Sequence, residues 1–239
     1  MVKAIILSAG EGTRLSPLTD TCPKSMLEIC GKPVLEYIIN SLRLSGIQEI
    51  AINVHSNYRK IIDYFGDGRD WNVRIQYSIE QELSGTAGAL NSFLDFFDDT
   101  FVVWYGDVLS KVDITKILAF HKEMNGIATI GLYKVNNPTE CGIVGLNDNH
   151  KITRFHEKPE PHEVFSDWAN AGIYVMESSI LPYIPEHEIY DFGKDLFPKI
   201  LREREALYGF QIADYLIDIG TKEKYAKAQS DFTLESEIL

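Results

Sequence analysis

The sequence predicts an α/β fold: a single three-layer α/β/α domain around a mostly parallel mixed sheet. Short apolar runs alternate with amphipathic stretches through the first 133 residues, which is the rhythm of strand, helix and parallel strand. A glycine loop, Gly10-Glu11-Gly12, follows directly on the first apolar run, at the strand end where such sheets receive ligands. The 239 residues are 45% hydrophobic and 24% charged, an ordinary globular composition. A chain of this length buries about 70–75% of its unfolded surface.

Each element follows from local chemistry. Lys3–Leu7 is rich in isoleucine and predicts a strand buried on both faces. Pro33 opens a helix and Gly46 closes it, with Val34, Leu35, Ile38, Ile39 and Leu42 toward the core. Glu49–Val54 predicts the next strand, Tyr58–Phe65 a helix stopped by Gly66-Asp67-Gly68, and Val73–Ser78 a strand. Thr86–Phe97 predicts a helix, Phe101–Tyr105 a strand, Ile114–Met124 a helix and Ala128–Tyr133 a strand. Beyond Tyr133 the strand-like pieces Ile143–Leu146, Ile152–Phe155 and Ala171–Met176 have no long helix between them, so an antiparallel addition is expected. Helices over Ser178–Tyr183 and Asp191–Leu201, strands over Leu207–Ile212 and Tyr215–Ile219, and a last helix capped by Thr221 complete the pattern. No Pro/Gly/Ser-rich linker interrupts it, so residues 1–239 read as one domain. Its nucleotide-binding half runs to about residue 133, and the rest, from about 134, completes the site.

Composition excludes several classes of partner. Lys and Arg number 23 against 35 Asp and Glu, a net charge of −12. Nucleic acid and anionic membranes need a basic face, so neither is expected. No apolar run approaches the ~20 residues of a membrane span, and Ala4–Leu7 is too short for a signal peptide. Cys22, Cys30 and Cys141 are odd in number and lack C-x-x-C spacing. They read as reduced, buried small hydrophobes in a cytoplasmic protein. The histidines show no metal-binding spacing and read mostly as surface residues. Trp71, Trp104 and Trp168 read as core. Monomer and homodimer both remain open.

Chemistry concentrates after the first strand, in Leu7-Ser8-Ala9-Gly10-Glu11-Gly12-Thr13-Arg14-Leu15-Ser16-Pro17-Leu18-Thr19 and then Pro23-Lys24. Bare amides at a strand end make an anion nest, Arg14 can clamp a phosphate through two bonds, and Lys24 adds a point charge. The G-x-G-x-x-G loop fails because Leu15 stands in place of the third glycine. Walker A fails because neither Gly31-Lys32 nor Gly193-Lys194 precedes Ser or Thr. Asp107 follows the run Phe101–Tyr105, and Asp218 ends a second apolar run. One aspartate after a strand usually closes a turn or caps a helix. Two at one sheet edge, opposite a phosphate loop, suit Mg²⁺, which keeps waters and takes substrate phosphates as ligands.

The loop G-x-G-T-R-L-x-P-L-T with its P-K resembles the signature of the sugar-1-phosphate nucleotidyltransferases, the NDP-sugar pyrophosphorylases. Later blocks match in order over nearly the whole chain: Gly85-Thr86-Ala87-Gly88, Gly106-Asp107, Phe155-His156-Glu157-Lys158-Pro159, Asn170-Ala171-Gly172 and Asp218-Ile219-Gly220-Thr221. The resemblance implies a Rossmann-like fold of the nucleotide-diphospho-sugar transferase type, with sugar phosphate in the second half. It implies that a nucleoside triphosphate and a sugar 1-phosphate become an NDP-sugar and pyrophosphate.

By the same resemblance Arg14, Lys24, Asp107, Lys158 and Asp218 are catalytic, and Asp107 with Asp218 holds Mg²⁺. Leu7, Ala9, Gly10, Gly12, Thr13, Arg14, Lys24, Gly85 and Thr86 meet the nucleotide. Gly142, Glu157, Lys158, Asn170 and Gly172 meet the sugar phosphate. Ser8, Ser84, Cys141 and Leu216 depart from the family's usual residues around the base and sugar pockets. The blocks look most like those of mannose- or heptose-1-phosphate guanylyltransferases, with glucose-1-phosphate thymidylyl- or uridylyltransferases next and a cytidylyltransferase third. A regulatory subunit that binds nucleotide sugar without turnover is the alternative of a different class; it would be expected to have lost one of the five catalytic residues. A dehydrogenase is disfavoured by the failed G-x-G-x-x-G. The chain stops soon after the last block, so no allosteric or acyltransferase extension is expected.

Overall fold

Apolar runs become strands nearly where their hydrophobicity puts them, and glycines and prolines set the breaks. The computed structural model describes residues 1–236. The strands are β1 (Lys3–Ser8), β2 (Glu28–Ile29), β3 (Lys32–Pro33), β4 (Glu49–Val54), β5 (Arg74–Ile79), β6 (Phe101–Tyr105) and β7 (Val108–Ser110). After them come β8 (Ala128–Lys134), β9 (Gly142–Leu146), β10 (Ile152–Glu157), β11 (Trp168–Met176), β12 (Leu207–Gln211) and β13 (Leu216–Asp218). The α-helices are α1 (Val34–Leu44), α2 (Arg59–Phe65), α3 (Ile114–Met124), α4 (Phe197–Arg202) and α5 (Lys222–Ser236). No helix among the described residues is long and apolar enough to cross a membrane.

The chain packs as two compact units, each drawn from three stretches. The first takes Met1–Lys3, Leu83–Val103 and Asp113–Ala213, and the second takes Ala4–Glu82, Trp104–Val112 and Asp214 onward. In the second unit β1, β4 and β5 run parallel, with Ile5 opposite Ala51 and Ile52 opposite Tyr77. Helix α1 buries Val34, Leu35, Ile38, Ile39 and Leu42, the face the periodicity predicts. It ends in paired C-terminal bonds, Gly46 N–H to Arg43 O at 3.0 Å and Ile47 N–H to Leu42 O at 3.0 Å. Gly46 sits at φ +82°, which favours glycine.

In the first unit β12 runs parallel to β8, and β8, β11, β9 and β10 pair antiparallel. The expected antiparallel addition is therefore present. Asp113 caps α3 by accepting the Thr115 amide at 3.0 Å.

Several elements differ from expectation for local reasons. Cys30 is exposed, because it and Gly31, at φ 49° and 76°, form the two-residue turn joining β2 to β3. Cys22 and Cys141 are half-buried rather than core. Trp104 is core, whereas Trp71 and Trp168 are only half-buried. His121 is buried, with Nδ1 2.9 Å from Thr129 Oγ1 and Nε2 2.8 Å from Glu177 Oε1. The helix expected over Thr86–Phe97 is a 3₁₀ segment, Gly88–Phe96, kinked at Phe93. The amides that lead into it, on Ala87 and Gly88, have no acceptor inside any helix and donate to Tyr190 O at 2.9 Å. The stretch Asp191–Leu201 divides into a π-turn, Phe192–Leu196, and α4. There the Asp195 and Leu196 amides both converge on Asp191 O, at 3.1 and 3.0 Å.

Candidate active site

In the second unit β1 carries the chain into a loop that only glycine can turn. Gly12 has φ +66°, and a Cβ there would stand 3.0 Å from Thr19 Cγ2 and 3.4 Å from Lys24 Cβ. Thr19 Oγ1 donates to Gly12 O at 2.8 Å, and the Leu15 amide donates to the same oxygen at 2.9 Å. Leu15 is fully buried and anchors the short turn Thr13–Leu15, while Arg14 beside it is exposed. The Gly106 amide donates to Leu7 O at 2.9 Å, and a Cβ on Gly106 would overlap Ser8 Oγ. The end of β6 thus reaches the end of β1, beside Leu7, Ala9 and Gly10.

The two aspartates meet by a route the sequence reading did not contain. It placed each at the end of an apolar strand, the two meeting at one sheet edge. Asp107 does follow β6, in the turn between β6 and β7, while Asp218 ends β13; β7 and β13 pair as a small antiparallel ribbon in which Asp218 lies opposite Val108. The Ile219 amide closes it by donating to Asp107 O at 3.0 Å. Lys24 Nζ contacts Asp107 Oδ2 directly and lies 3.6 Å from Asp218 Oδ1. The Gly220 amide donates to Asp218 Oδ1 at 2.7 Å. A Cβ on Gly220 would lie 3.1 Å from Arg14 Nη2 and 2.8 Å from Asp218 Oδ1, which brings Arg14 into the cluster.

Lys224 joins from α5, with Nζ 3.6 Å from Asp218 Oδ2. Sequence reasoning missed it. The available signal was a lysine in the first turn of a helix, where the dipole disfavours a cation. Burial works against the Lys24 ammonium, but the carboxylates of Asp107 and Asp218 outweigh it and hold Lys24 above its ordinary value. At Asp107 burial dominates and pushes the carboxyl up, against the pull of Lys24.

The donor set fits a small hard cation. The two carboxylates share Lys24, with Lys224 also facing Asp218, and Mg²⁺ characteristically takes one or two carboxylates plus waters and phosphates. Among the described residues no three His, Cys, Asp or Glu side chains converge as a closed metal cage, so most coordination positions would fall to water and substrate.

The first unit gathers the other nominated residues. Glu157 ends β10 and pairs with Gly142 on β9. A Cβ on Gly142 would overlap Glu157 Oε2, so this glycine makes room for the carboxylate. Burial raises the Glu157 carboxyl above its ordinary value, against the opposing ammonium groups of Lys158 and Lys194. Lys158 is exposed at φ 50°, and its amide donates to Cys141 O at 3.0 Å. A lysine held in the left-handed region is local strain of the kind found at functional sites.

Asn170 and Gly172 sit on a bulge of β11 against β8. Asn170 Oδ1 accepts the Gly172 amide at 3.0 Å, and its Nδ2 donates to Tyr174 Oη at 2.9 Å. Gly85, at φ +82°, packs against the Tyr190 backbone. The Thr86 hydroxyl donates to Asp191 Oδ1 at 3.0 Å and accepts the Phe192 amide at 3.0 Å, so this side chain is engaged within the protein. Asp191 and Gly193 are further residues the sequence reading did not single out.

Comparison with known proteins gives a consistent set of matches. The Nucleotidyl transferase family pattern matches residues 3–235. The UTP–glucose-1-phosphate uridylyltransferase of Synechocystis sp. is 39% identical over 241 residues, covering 95% of this chain and 62% of that one. The mannose-1-phosphate guanylyltransferase of Mycobacterium tuberculosis is 32% identical over 232 residues, covering 96% of this chain and 64% of that one. The chain thus spans under two thirds of these relatives' length.

Among solved structures, a Bacillus anthracis protein described as a glucose-1-phosphate thymidylyltransferase superposes with a TM-score of 0.86 at 26% identity, over 96% of this chain and 94% of its own. HddC of Yersinia pseudotuberculosis, solved with GMP-PN, gives a TM-score of 0.81 at 27% identity, over 97% and 100%. The predicted α/β fold with a mixed sheet is therefore the fold found.

Proposed function

The chain belongs to the nucleotidyl transferase family, and from that premise we propose that it is a sugar-1-phosphate nucleotidyltransferase. A phosphate oxygen of the sugar 1-phosphate bonds to the α-phosphorus of a nucleoside triphosphate. The bond from that phosphorus to the bridging oxygen breaks, and pyrophosphate leaves. The observation that carries this reading is the gathering of Arg14, Lys24, Asp107 and Asp218 beside the Gly12 loop. Transfer at phosphorus needs positioning and charge stabilisation rather than a protein nucleophile.

In this reading the exposed Arg14 guanidinium takes the α-phosphate and the departing pyrophosphate, and Lys24 grips the triphosphate. Lys158 positions the attacking phosphate, and Glu157 accepts hydrogen bonds from sugar hydroxyls. Asp107 and Asp218 hold Mg²⁺, which when bound neutralises triphosphate oxygens. Arg14→Ala should lower kcat by several powers of ten, because this contact strengthens as charge moves to the leaving group. Near-normal turnover would remove Arg14 from the mechanism.

For base and sugar the first assignment is GTP with a mannose- or heptose-type 1-phosphate. It is supported by Thr86-Ala87-Gly88 and Asn170-Ala171-Gly172, by the M. tuberculosis relative, and by the GMP-PN in HddC. The second reading, UTP with glucose 1-phosphate, is supported by the 39% identity of the Synechocystis protein. The test is pyrophosphate release over a grid of GTP, UTP, dTTP, CTP and ATP against mannose-, glucose-, heptose- and N-acetylglucosamine 1-phosphates, with and without EDTA. One strong cell abolished by EDTA supports reaction, base, sugar and metal together. An empty grid from folded protein overturns the reading.

A further inference from the structure

The short stretch Tyr190–Gly193 touches two groups to which the proposed reaction gives different work. On one side it holds the loop Ser84–Gly88. The Tyr190 amide donates to Ser84 O at 2.9 Å, and Tyr190 O accepts the Ala87 and Gly88 amides, each at 2.9 Å. Asp191 Oδ1 accepts the Thr86 hydroxyl at 3.0 Å and the Thr86 amide at 3.3 Å. This loop is the one assigned to the nucleoside.

On the other side the stretch backs Glu157, the carboxylate assigned to the sugar hydroxyls. Gly193 lies outside the left-handed region, so its backbone does not demand glycine. Space demands it: a Cβ there would stand 2.5 Å from Glu157 Oε2, 3.1 Å from Glu157 Cδ and 3.4 Å from Phe155 Cε1. Gly142 is a second wall against the same Oε2 and the same phenylalanine. The carboxylate stands in a slot that a methyl group on either wall would fill.

The stretch cannot easily retreat. Phe192, the residue between Asp191 and Gly193, is fully buried, 5.6 Å from the Phe197 ring and 5.1 Å from the Tyr174 ring. Phe155 lies 5.3 Å from the same Phe197 ring. Close-packed rings transmit a displacement rather than absorbing it.

We propose that Tyr190–Gly193 is a positioning strap for both substrates, in which Asp191 sets the nucleoside-facing loop and Gly193 sets the sugar-facing carboxylate. The inference rests on the nucleotidyltransferase reading above. The test compares the intact protein with Gly193→Ala, Asp191→Asn and Gly193→Ala/Glu157→Asp, by steady-state kinetics and by calorimetric binding of each substrate alone.

Gly193→Ala should raise KM for the sugar 1-phosphate roughly tenfold or more, within the roughly hundredfold that an ångström of misplacement can cost. The triphosphate KM should stay near its original value. Asp191→Asn should show the opposite bias, raising the triphosphate KM more than the sugar-phosphate KM. Glu157→Asp shortens the carboxylate and should partly rescue Gly193→Ala. Equal rises in both KM values, with a lower melting temperature and no rescue, would assign Gly193 to general packing and overturn the proposal. Should Gly193→Ala fail to fold, the bias of Asp191→Asn decides, and its absence overturns the strap. An intact protein that neither binds nor turns over any sugar 1-phosphate sinks the underlying reading as well. Normal activity with an unbiased Gly193→Ala sinks the strap alone.

Discussion

Glu157 shows what a half-buried carboxylate costs at the scale of one side chain. Its carboxyl is raised from an ordinary value of 4.5, first by burial, so the folded protein releases this proton later than the unfolded chain does. Stability from this group therefore falls as pH climbs from about 4.5 toward the raised native value, and the loss is complete above it. Glu157→Gln should melt at or above the wild-type temperature at pH 7, and the two should converge below pH 4; thermal scans at both pH values check this. Lys224 makes a second case. Its ammonium lies 3.6 Å from Asp218 Oδ2, so it would compete with a divalent ion for that carboxylate. Lys224→Met should tighten Mn²⁺ binding to the nucleotide-free protein roughly fivefold, about 1 kcal/mol for a charge near 4 Å in high dielectric; calorimetry reads it, and unchanged affinity counts against competition at Asp218. Arg14 and Lys24 could be nominated from their spacing in one loop, and Asp107 and Asp218 from the strand ends and family-like blocks that carry them. Lys224, Asp191 and Gly193 could not, because what they do depends on which distant group folds against them.

Among the elements, the small ribbon does most to define the site. β7 and β13 are three residues each, too short to announce themselves by alternation. Their pairing nevertheless sets the spacing of Asp107 and Asp218. Leu109, opposite Ile217 in this ribbon, is 1% exposed. Leu109→Ala should cost about 2–5 kcal/mol, as buried leucine truncations do, and should also weaken Mn²⁺ binding. Leu90→Ala, equally buried in the other unit, should cost similar stability and leave the metal alone. A denaturant titration paired with a metal titration separates the two. The longer elements were legible where period and caps agreed: β4, β6 and α3 fall on their expected residues. The segment expected as a helix over Thr86–Phe97 starts at Gly88 and kinks at Phe93. The amides that lead into it, on Ala87 and Gly88, find their acceptor in the carbonyl of Tyr190, and composition alone carries no trace of so distant a partner.

Across the whole molecule, the alternation of strands and helices was enough to give the fold class, since buried parallel strands and amphipathic helices leave separate patterns. The division into units was not readable, because each draws on distant stretches of chain. The cation–carboxylate cluster lies wholly within one unit, and the Glu157 slot with its strap lies wholly within the other. That interleaving also imposes an order on synthesis. A ribosome makes the chain from its N-terminus at about 5–20 residues per second. When Ala213 has been added, every residue of the first unit exists, and the nascent chain has what it needs to shape the Glu157 slot. Asp107 has been made more than a hundred residues earlier, and Asp218 is still to come. The carboxylate pair can therefore close only after every residue of the first unit has been made.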